Sequence, residues 1–518
     1  MNRTILAVAA AAAIGIGISI GGPAVAQKKE LVVGAAVADL GKLDPHLAAQ
    51  GADKGLLNWV FNALVRIKPG QASPDFIEPD LAESWTSNAN GTEWTFKLRQ
   101  GVKCHGDYGA FTAEDAAYSL KRASTKETSA FAGDFAALDS AEAVDKHTLK
   151  VRLKSPIPSL LGLVSNYHGG MMVCKAAAEK LGAAGFGKQP IGTGPFAFVE
   201  YQPQQFIKLV AHKDYFRGAP QIDRITYRYI PSDATRDLAF QAGEIDLIFG
   251  QQTDAWAKRM RATSGVKLVA MEPAELSGLY LNLTIKPLDD LKVRQAFLYA
   301  IDRKAFAQFL GAEGNRAPAS VVPIGNLGMV SFDLPYDPAK AKKLLAEAGH
   351  PNGVTIKSVQ STHPALLRIA EAAQGQLRKA GIDLQLETVD HPTYHAQNRK
   401  NQSPVTLYQA ARFPVADVYL THFFHSRSIV GTPTGITNLS HCAVADPEIE
   451  AARVEPDLAK QKALWRTAQE KVMAQVCAVP LVESLVLWAW KDNLDLGYDL
   501  VGSLNLAPHI TEKTRFVK

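Results

Sequence analysis

Histidine supplies the first residues whose spacing carries chemistry. His391 and His395 are four apart, His422 and His425 are three apart, and His441 adjoins Cys442. Imidazoles at i, i+3 or i+4 share one helix face and can share a divalent metal ion. Neither pair has a firm third ligand, so polar surface or hydrogen-bonded core positions account for them, and no metal or other cofactor is expected. Carboxylates come next. Glu83, Asp115 and the Asp289-Asp290 pair are the acids a hydrolase would draw on. Their settings are a segment before a strand, a helix cap and a helix entrance, where structural roles suffice. The chain has no G-x-x-x-x-G-K-[ST], no G-x-S-x-G and no H-E-x-x-H, so no nucleotide loop, nucleophile elbow or zinc-protease helix is written in it. With no activated nucleophile and no paired acid and base, an enzyme is not expected.

The cysteines point to an oxidising compartment. Cys104, Cys174, Cys442 and Cys477 are an even set and fit two disulfides, for which three pairings exist. Cys104–Cys174 and Cys442–Cys477 is the preferred pairing, each bridge within one half of the chain. Buried free thiols are the alternative, because a core of this size needs no staple. The N-terminus agrees with export: Asn2-Arg3, an apolar run from Ile5 to Ile20, Gly21-Gly22-Pro23 and the small-x-small site Ala24-Val25-Ala26 predict a signal peptide over 1–26, cleaved before Gln27. No cysteine closely follows the run, so no lipid anchor is expected.

The elements that would position such residues are those of a large globular protein. About 490 residues remain after processing, enough for two or three domains, and 47% of the chain is hydrophobic against 21% charged. A net charge of +5, not gathered into a basic run, gives nucleic-acid binding no support. Trp94, Phe96 and Leu98 alternate with polar residues, as do Leu149, Val151 and Leu153, predicting two half-buried strands. Thr112 to Asp115 forms a capping box for a helix running to Arg122. Val293, Ala296, Phe297, Ala300 and Ile301 mark a buried helix face. Asp337-Pro338 opens another helix that Gly349 stops. Strand-like Gly353–Gln360 and Ile382–Leu386 flank a helix over about 365–380, a strand–helix–strand unit.

Residues 79–122 contain PDLAESWTSNANGTEWTFKLRQGVKCHGDYGAFTAEDAAYSLKR. Three further blocks follow in order: Pro190-Ile-Gly-Thr-Gly-Pro-Phe196 leading into HKDYFRGAPQIDRI, LYLNLTIKPLDDLKVRQAFLYAIDRKAF, and DPAKAKKLLAEAGH with QLRKAGIDLQLE. Together they resemble the peptide/nickel family of ABC-transporter solute-binding proteins, family 5, across nearly the whole mature chain. One departure is Cys104, where the family commonly has an aromatic residue. The resemblance implies an α/β, two-lobed periplasmic binding protein fold of type II, with an extra α+β domain inserted in the first lobe and a ligand cleft between lobes. Residues 27–70, 190–271 and 486–518 would form the first lobe, 71–189 the insertion and 272–485 the second lobe. Hinge closure would enclose the ligand. The Gly192-Thr-Gly194-Pro195 turn would lie near the interlobe crossing.

The same resemblance implies a periplasmic receptor, a monomer, that hands its solute to an inner-membrane permease and the ATPase of that permease. Dipeptide and oligopeptide receptors of the family hold the ligand's ammonium with an Asp in a W-x-A-D-Y-x-D/E-P segment. The matching stretch here, Gln409 to Asp417, carries Arg412 at the Asp position. A guanidinium repels an ammonium and grips a carboxylate, so the implied solute is a peptide or a carboxylate-bearing amino-acid derivative. An ion pair with a neighbour such as Asp417 is the competing role for Arg412. Phe413 and Tyr419 would supply apolar walls, with Asp417 beside them. Asn282 would face the cleft or tie adjacent backbone together. Gln360 stands where dipeptide receptors carry an Arg for the ligand carboxylate. Trp488 or Trp490 would add a ring unless they are strand core. A metal-chelate receptor, a periplasmic sensor or chaperone and, least favoured, a secreted hydrolase are the alternatives.

Overall fold

The computed structural model describes residues 29–48, 51–157, 160–432, 435 and 437–517. The expected signal peptide and its cleavage site lie outside the described residues. A nine-stranded mixed sheet runs through the molecule in the order Val405–Ala410, Val266–Leu281, Ala478–Lys491, Leu247–Phe249, Glu30–Ala35, Arg224–Tyr229, Phe206–Ala211 and Phe196–Gln202, with Asn315–Arg316 added against Ala478–Lys491. Glu30–Ala35 is parallel to both of its neighbours.

Two long strands carry the chain from one lobe to the other. Val266–Leu281 and Ala478–Lys491 are antiparallel partners, pairing Val266 with Lys491 at one end and Tyr280 with Ala478 at the other. Their register shifts between Met271 and Glu275. On one side of the shift, Trp488 and Trp490 of the second strand pair with Leu247–Phe249. On the other, Leu276–Leu281 pairs with Val405–Ala410. The cores divide at the same place. Met271, Val486, Trp488 and Trp490 pack with Leu31, Val33 and Ile225, whereas Leu279, Leu281, Val479 and Val482 pack with Phe297, Ile369 and Leu384. Apolar side chains on both faces explain why these strands read as nearly continuous hydrophobic runs.

A separate four-stranded antiparallel sheet contains Ala82–Ser87, Glu93–Leu98, Thr148–Leu153 and Leu138–Asp145. Phe96 faces Leu149 and Trp94 faces Val151 across it, as their alternation predicts. Helix Ala113–Ala123 packs on this sheet. Asp115 accepts the Thr112 N–H at 2.8 Å with one carboxylate oxygen and the Lys175 N–H at 2.8 Å with the other. Val354–Ser361, helix Pro364–Lys379 and Ile382–Val389 form the expected parallel unit. Asp337 caps Pro338–Glu347 by accepting the Lys340 N–H.

Two expectations are corrected. The helix through Ile301 ends at Tyr299, because Asp302 caps a second helix, Arg303–Leu310, through the Ala305 N–H; Ala300 and Ile301 stay buried in the bend between them. The Gly192–Pro195 turn packs against Trp59 and Val60 of the first lobe rather than on the crossing strands: Gly194 N–H donates to Val60 O, and a Cβ at Gly192 would stand 2.2 Å from that oxygen. Trp488 and Trp490 are strand core, with Trp488 Nε1 donating to Leu506 O at 3.0 Å. Both disulfides form in the preferred pairing, with Cα atoms 6.2 Å apart in Cys104–Cys174 and 5.9 Å in Cys442–Cys477.

Candidate functional site

Arg412 follows the strand Val405–Ala410 and precedes helix Ala416–Phe424. Tyr419, one turn into that helix, accepts the Arg412 backbone N–H on its hydroxyl at 2.9 Å. The guanidinium lies 5.3 Å over the Phe423 ring, with the phenols of Tyr408, Tyr167 and Tyr419 around it. Its side chain donates to the neighbouring carbonyl of Ala411 at 3.0 Å, and the Tyr408 hydroxyl is a further partner. Among the described residues no carboxylate comes within ion-pair distance of it. The competing role for Arg412, a salt bridge to Asp417, is therefore not what the structure contains. Asp417 is buried, its carboxyl raised by desolvation and opposed by the nearby Arg453 charge.

Around Arg412 stand Lys54, Asp134, Tyr167 and His168. Lys54 lies on helix Gly51–Leu57, 5.8 Å from the Tyr167 ring and 6.0 Å from Phe131. Burial lowers its ammonium to about 8, and the Arg412 charge pushes in the same direction. Glu275, where the crossing strands shift register, is raised by burial and held back by Lys54 and Arg412. Asp134 resists the upward pull of burial because His168 hydrogen-bonds it and His422 and Arg412 lie close, and it falls to about 2. His168 Nδ1 is 3.4 Å from Asp134 Oδ2, and His422 Nε2 is 3.7 Å from Oδ1. Burial lowers both imidazoles, His168 to about 3 and His422 to about 4, so near neutral pH these are contacts of a carboxylate with neutral rings. The surroundings of Arg412 thus hold a second cation, Lys54, and three acids, Asp134 held ionised and Asp417 and Glu275 raised by burial.

A cavity of about 410 Å³ opens between the lobes, lined on one side by Asp134, Ile157 and His168 and on the other by Arg412, Asp417 and His422. Such a volume suits a small organic solute. Lys54 and Glu275 are not among its walls. Phe413 lines the cavity and also locks the lobes together: its ring sits on the backbone of Gly162, where a Cβ would be 2.3 Å from Phe413 Cζ.

The expected ligand residues divide accordingly. Arg412, Phe413 and Asp417 reach the cavity. Tyr419 does not line it and instead holds the Arg412 backbone. Asn282 is fully buried and ties backbone together, its amide donating to Asn401 and its oxygen accepting from the Thr284 N–H and hydroxyl. Gln360 is buried, and its amide has no hydrogen-bond partner among the described residues. The Asp289-Asp290, Asp115 and Glu83 carboxylates stand apart, Asp290 capping Leu291–Tyr299 and Glu83 lying 3.6 Å from Arg99. His422 and His425 have different partners, His425 lying 3.3 Å from Glu450. Lys54, Asp134, Tyr167, His168 and Glu275 were missed. Glu275, a charge within the apolar run Ala274 to Leu281, carried a readable signal; the others needed the fold.

The model of the bacterial extracellular solute-binding proteins, family 5 middle, matches residues 77–430. The chain belongs to this family. It is 32% identical over 376 residues to heme-binding protein A of Haemophilus influenzae, covering 66% of this chain and 67% of that one. It is 30% identical over 433 residues to the glutathione-binding protein GsiB of Escherichia coli, covering 80% and 82%. Among solved structures, the solute-binding protein MoaA of A. tumefaciens in complex with mannopinic acid superposes with a TM-score of 0.86 at 46% identity, over 95% of this chain and 100% of that one. The ABC transporter-associated periplasmic binding protein DppA of Helicobacter pylori, in complex with the peptide STSA, shares the fold at a TM-score of 0.81 and 24% identity, over 95% and 99%. The protein is a family 5 solute-binding protein of the two-lobed α/β type, from a family of transport receptors. Among the described residues no helix is long and apolar enough to cross a membrane.

Proposed function

We propose that this protein captures a carboxylate-bearing amino-acid derivative between its lobes and delivers it, chemically unchanged, to the permease of an ABC importer. One observation carries the reading: Arg412 stands in the cleft with its guanidinium unpaired by any described carboxylate, at the position where peptide receptors of the family hold an ammonium. Lys54, outside the cavity walls, adds a second positive charge close to Arg412. A guanidinium free of any described carboxylate partner complements a carboxylate of the solute. The 46% identity to a protein that binds mannopinic acid supports the same class of solute.

In this reading Phe413 and Asp417 touch the ligand, Tyr419 positions Arg412, and Gln360 offers its amide to the ligand's far end. Residues 27–70, 190–271 and 486–518 make the first lobe, 71–189 its insertion and 272–485 the second lobe, which close about the crossing strands. The chain is exported by cleavage before Gln27, acts as a periplasmic monomer without catalysis, and docks on a permease driven by a separate ATPase. Thermal-shift screening of the mature chain tests the ligand class, because a ligand stabilises the native state in proportion to occupancy. Mannopinic acid and related amino-dicarboxylates raise the melting temperature; free-amine dipeptides and sugars without a carboxylate do not. Stabilisation by dipeptides alone overturns the reading.

A further inference from the structure

The cavity wall that begins at Arg412 continues along one face of helix Ala416–Phe424, where Asp417 and Thr421 both line it. Residues four apart share a helix face, and Thr421 lies about 6 Å along the axis from Asp417. There Thr421 Oγ1 accepts a hydrogen bond from Arg453 Nη2 at 2.7 Å. Arg453 belongs to the last turn of helix Asp446–Val454 and lines the cavity as a second guanidinium of the second helix layer. One hydroxyl uses a single donor of the guanidinium fork, whose other donors fit a carboxylate. Among the described residues no carboxylate comes within ion-pair distance of Arg453.

The remaining charged groups on the cavity have other partners or weaker claims. Arg427 is met by Glu450 at 3.1 Å. Lys154 is exposed, and its ammonium donates to the Ala136 carbonyl at 3.4 Å. Of the two acids, Asp134 stands with His168 and His422, and Asp417 is raised by burial in spite of the Arg453 charge. Arg412 and Arg453 are therefore two carboxylate-seeking groups on one cavity, one before helix Ala416–Phe424 and one beside its Thr421.

We propose that Arg453 holds a second carboxylate of the solute, so that the cavity selects an amino-acid derivative with two acid groups, one on Arg412 and one on Arg453. This rests on the reading of Arg412 as a carboxylate-binding residue and adds the group that tells a dicarboxylate from a monocarboxylate.

Calorimetric titration of the mature protein with mannopinic acid and with its two mono-amides, each lacking one negative charge, tests the assignment. The wild type binds either mono-amide about tenfold or more weakly than the diacid, the worth of one charged hydrogen bond. Arg453→Gln weakens the diacid and one mono-amide by about that factor and leaves the other mono-amide unchanged. Arg412→Ala shows the opposite choice between the mono-amides. A purely structural Arg453, one that only ties its helix to Thr421, would weaken all three solutes alike, and melting of each ligand-free variant confirms that it folds. Equal loss for all three solutes, or no loss, in Arg453→Gln overturns the proposal while a selective effect of Arg412→Ala leaves the reading of Arg412 standing. No binding of the diacid to the wild type overturns both.

Discussion

At the scale of single residues, the site turns on charges that the protein leaves unpaired. Lys54 is the sharper case, since desolvation holds its ammonium near 8, well below its ordinary value. Between that value and about 10.5 the unfolded chain binds a proton that the folded chain does not, so stability rises with pH through that window. Below about 8 the buried cation is fully charged, and the ligand-free protein bears its cost. Lys54→Met is accordingly expected to stabilise the ligand-free protein near pH 7 by on the order of 1–2 kcal/mol, read by denaturant unfolding. The same residue makes binding pH-dependent: affinity for a carboxylate ligand is flat below about pH 7 and falls as pH passes 8, and Lys54→Met removes that fall. Calorimetry across the range checks both. Arg412 was legible from its position in a family segment, whereas Lys54 was not, because an isolated lysine in a helix carries no sign of what the fold brings opposite it. Asn282 shows the converse: a polar residue in an apolar strand reads as a ligand group, yet its side chain is buried and bonded to Thr284 and Asn401.

At the scale of elements, the contact that closes the cleft is a ring on a helix. Phe413 sits against Gly162 of helix Leu160–Leu163 with no room for a Cβ. Gly162→Val overpacks this contact, at a cost of about 1–3 kcal/mol in the closed state alone, so ligand affinity drops about tenfold while the melting temperature of the ligand-free protein stays put. Small-angle scattering then shows less ligand-dependent compaction than in the wild type; wild-type compaction and affinity would refute the contact's role. Beside the register shift, Arg316 Nε donates to the fully buried Glu483 at 2.7 Å and a second arm reaches Glu272. Arg316→Ala leaves Glu483 buried without its partner and is expected to cost about 3 kcal/mol, read by thermal or denaturant unfolding. Elements with strong local signals were legible: the alternating strands of the inserted sheet, the cap at Asp337, the parallel unit around Pro364–Lys379. The break after Tyr299 was not, because the apolar spacing continues through Ile301 while Asp302 starts a new helix.

At the scale of the whole molecule, family blocks in order made the two-lobed α/β fold readable before any element was placed, but not how the long strands serve both lobes. Each disulfide closes within one region, with loops of 70 and 35 residues, and by loop entropy each is worth about 4 kcal/mol. Cys442→Ser/Cys477→Ser should lower stability by about that amount in equilibrium unfolding. What composition and motifs left open was the solute, because its chemistry depends on charges that only the assembled cleft brings together. Calorimetric titration of mannopinic acid into the wild-type mature protein and into Arg412→Ala tests the central claim most directly. A charged hydrogen bond of this kind is worth about 1.5–3 kcal/mol, so the account predicts one saturable site in the wild type and an affinity at least about tenfold weaker in the variant. Equal affinities in the two proteins, or no binding to the wild type, would contradict it.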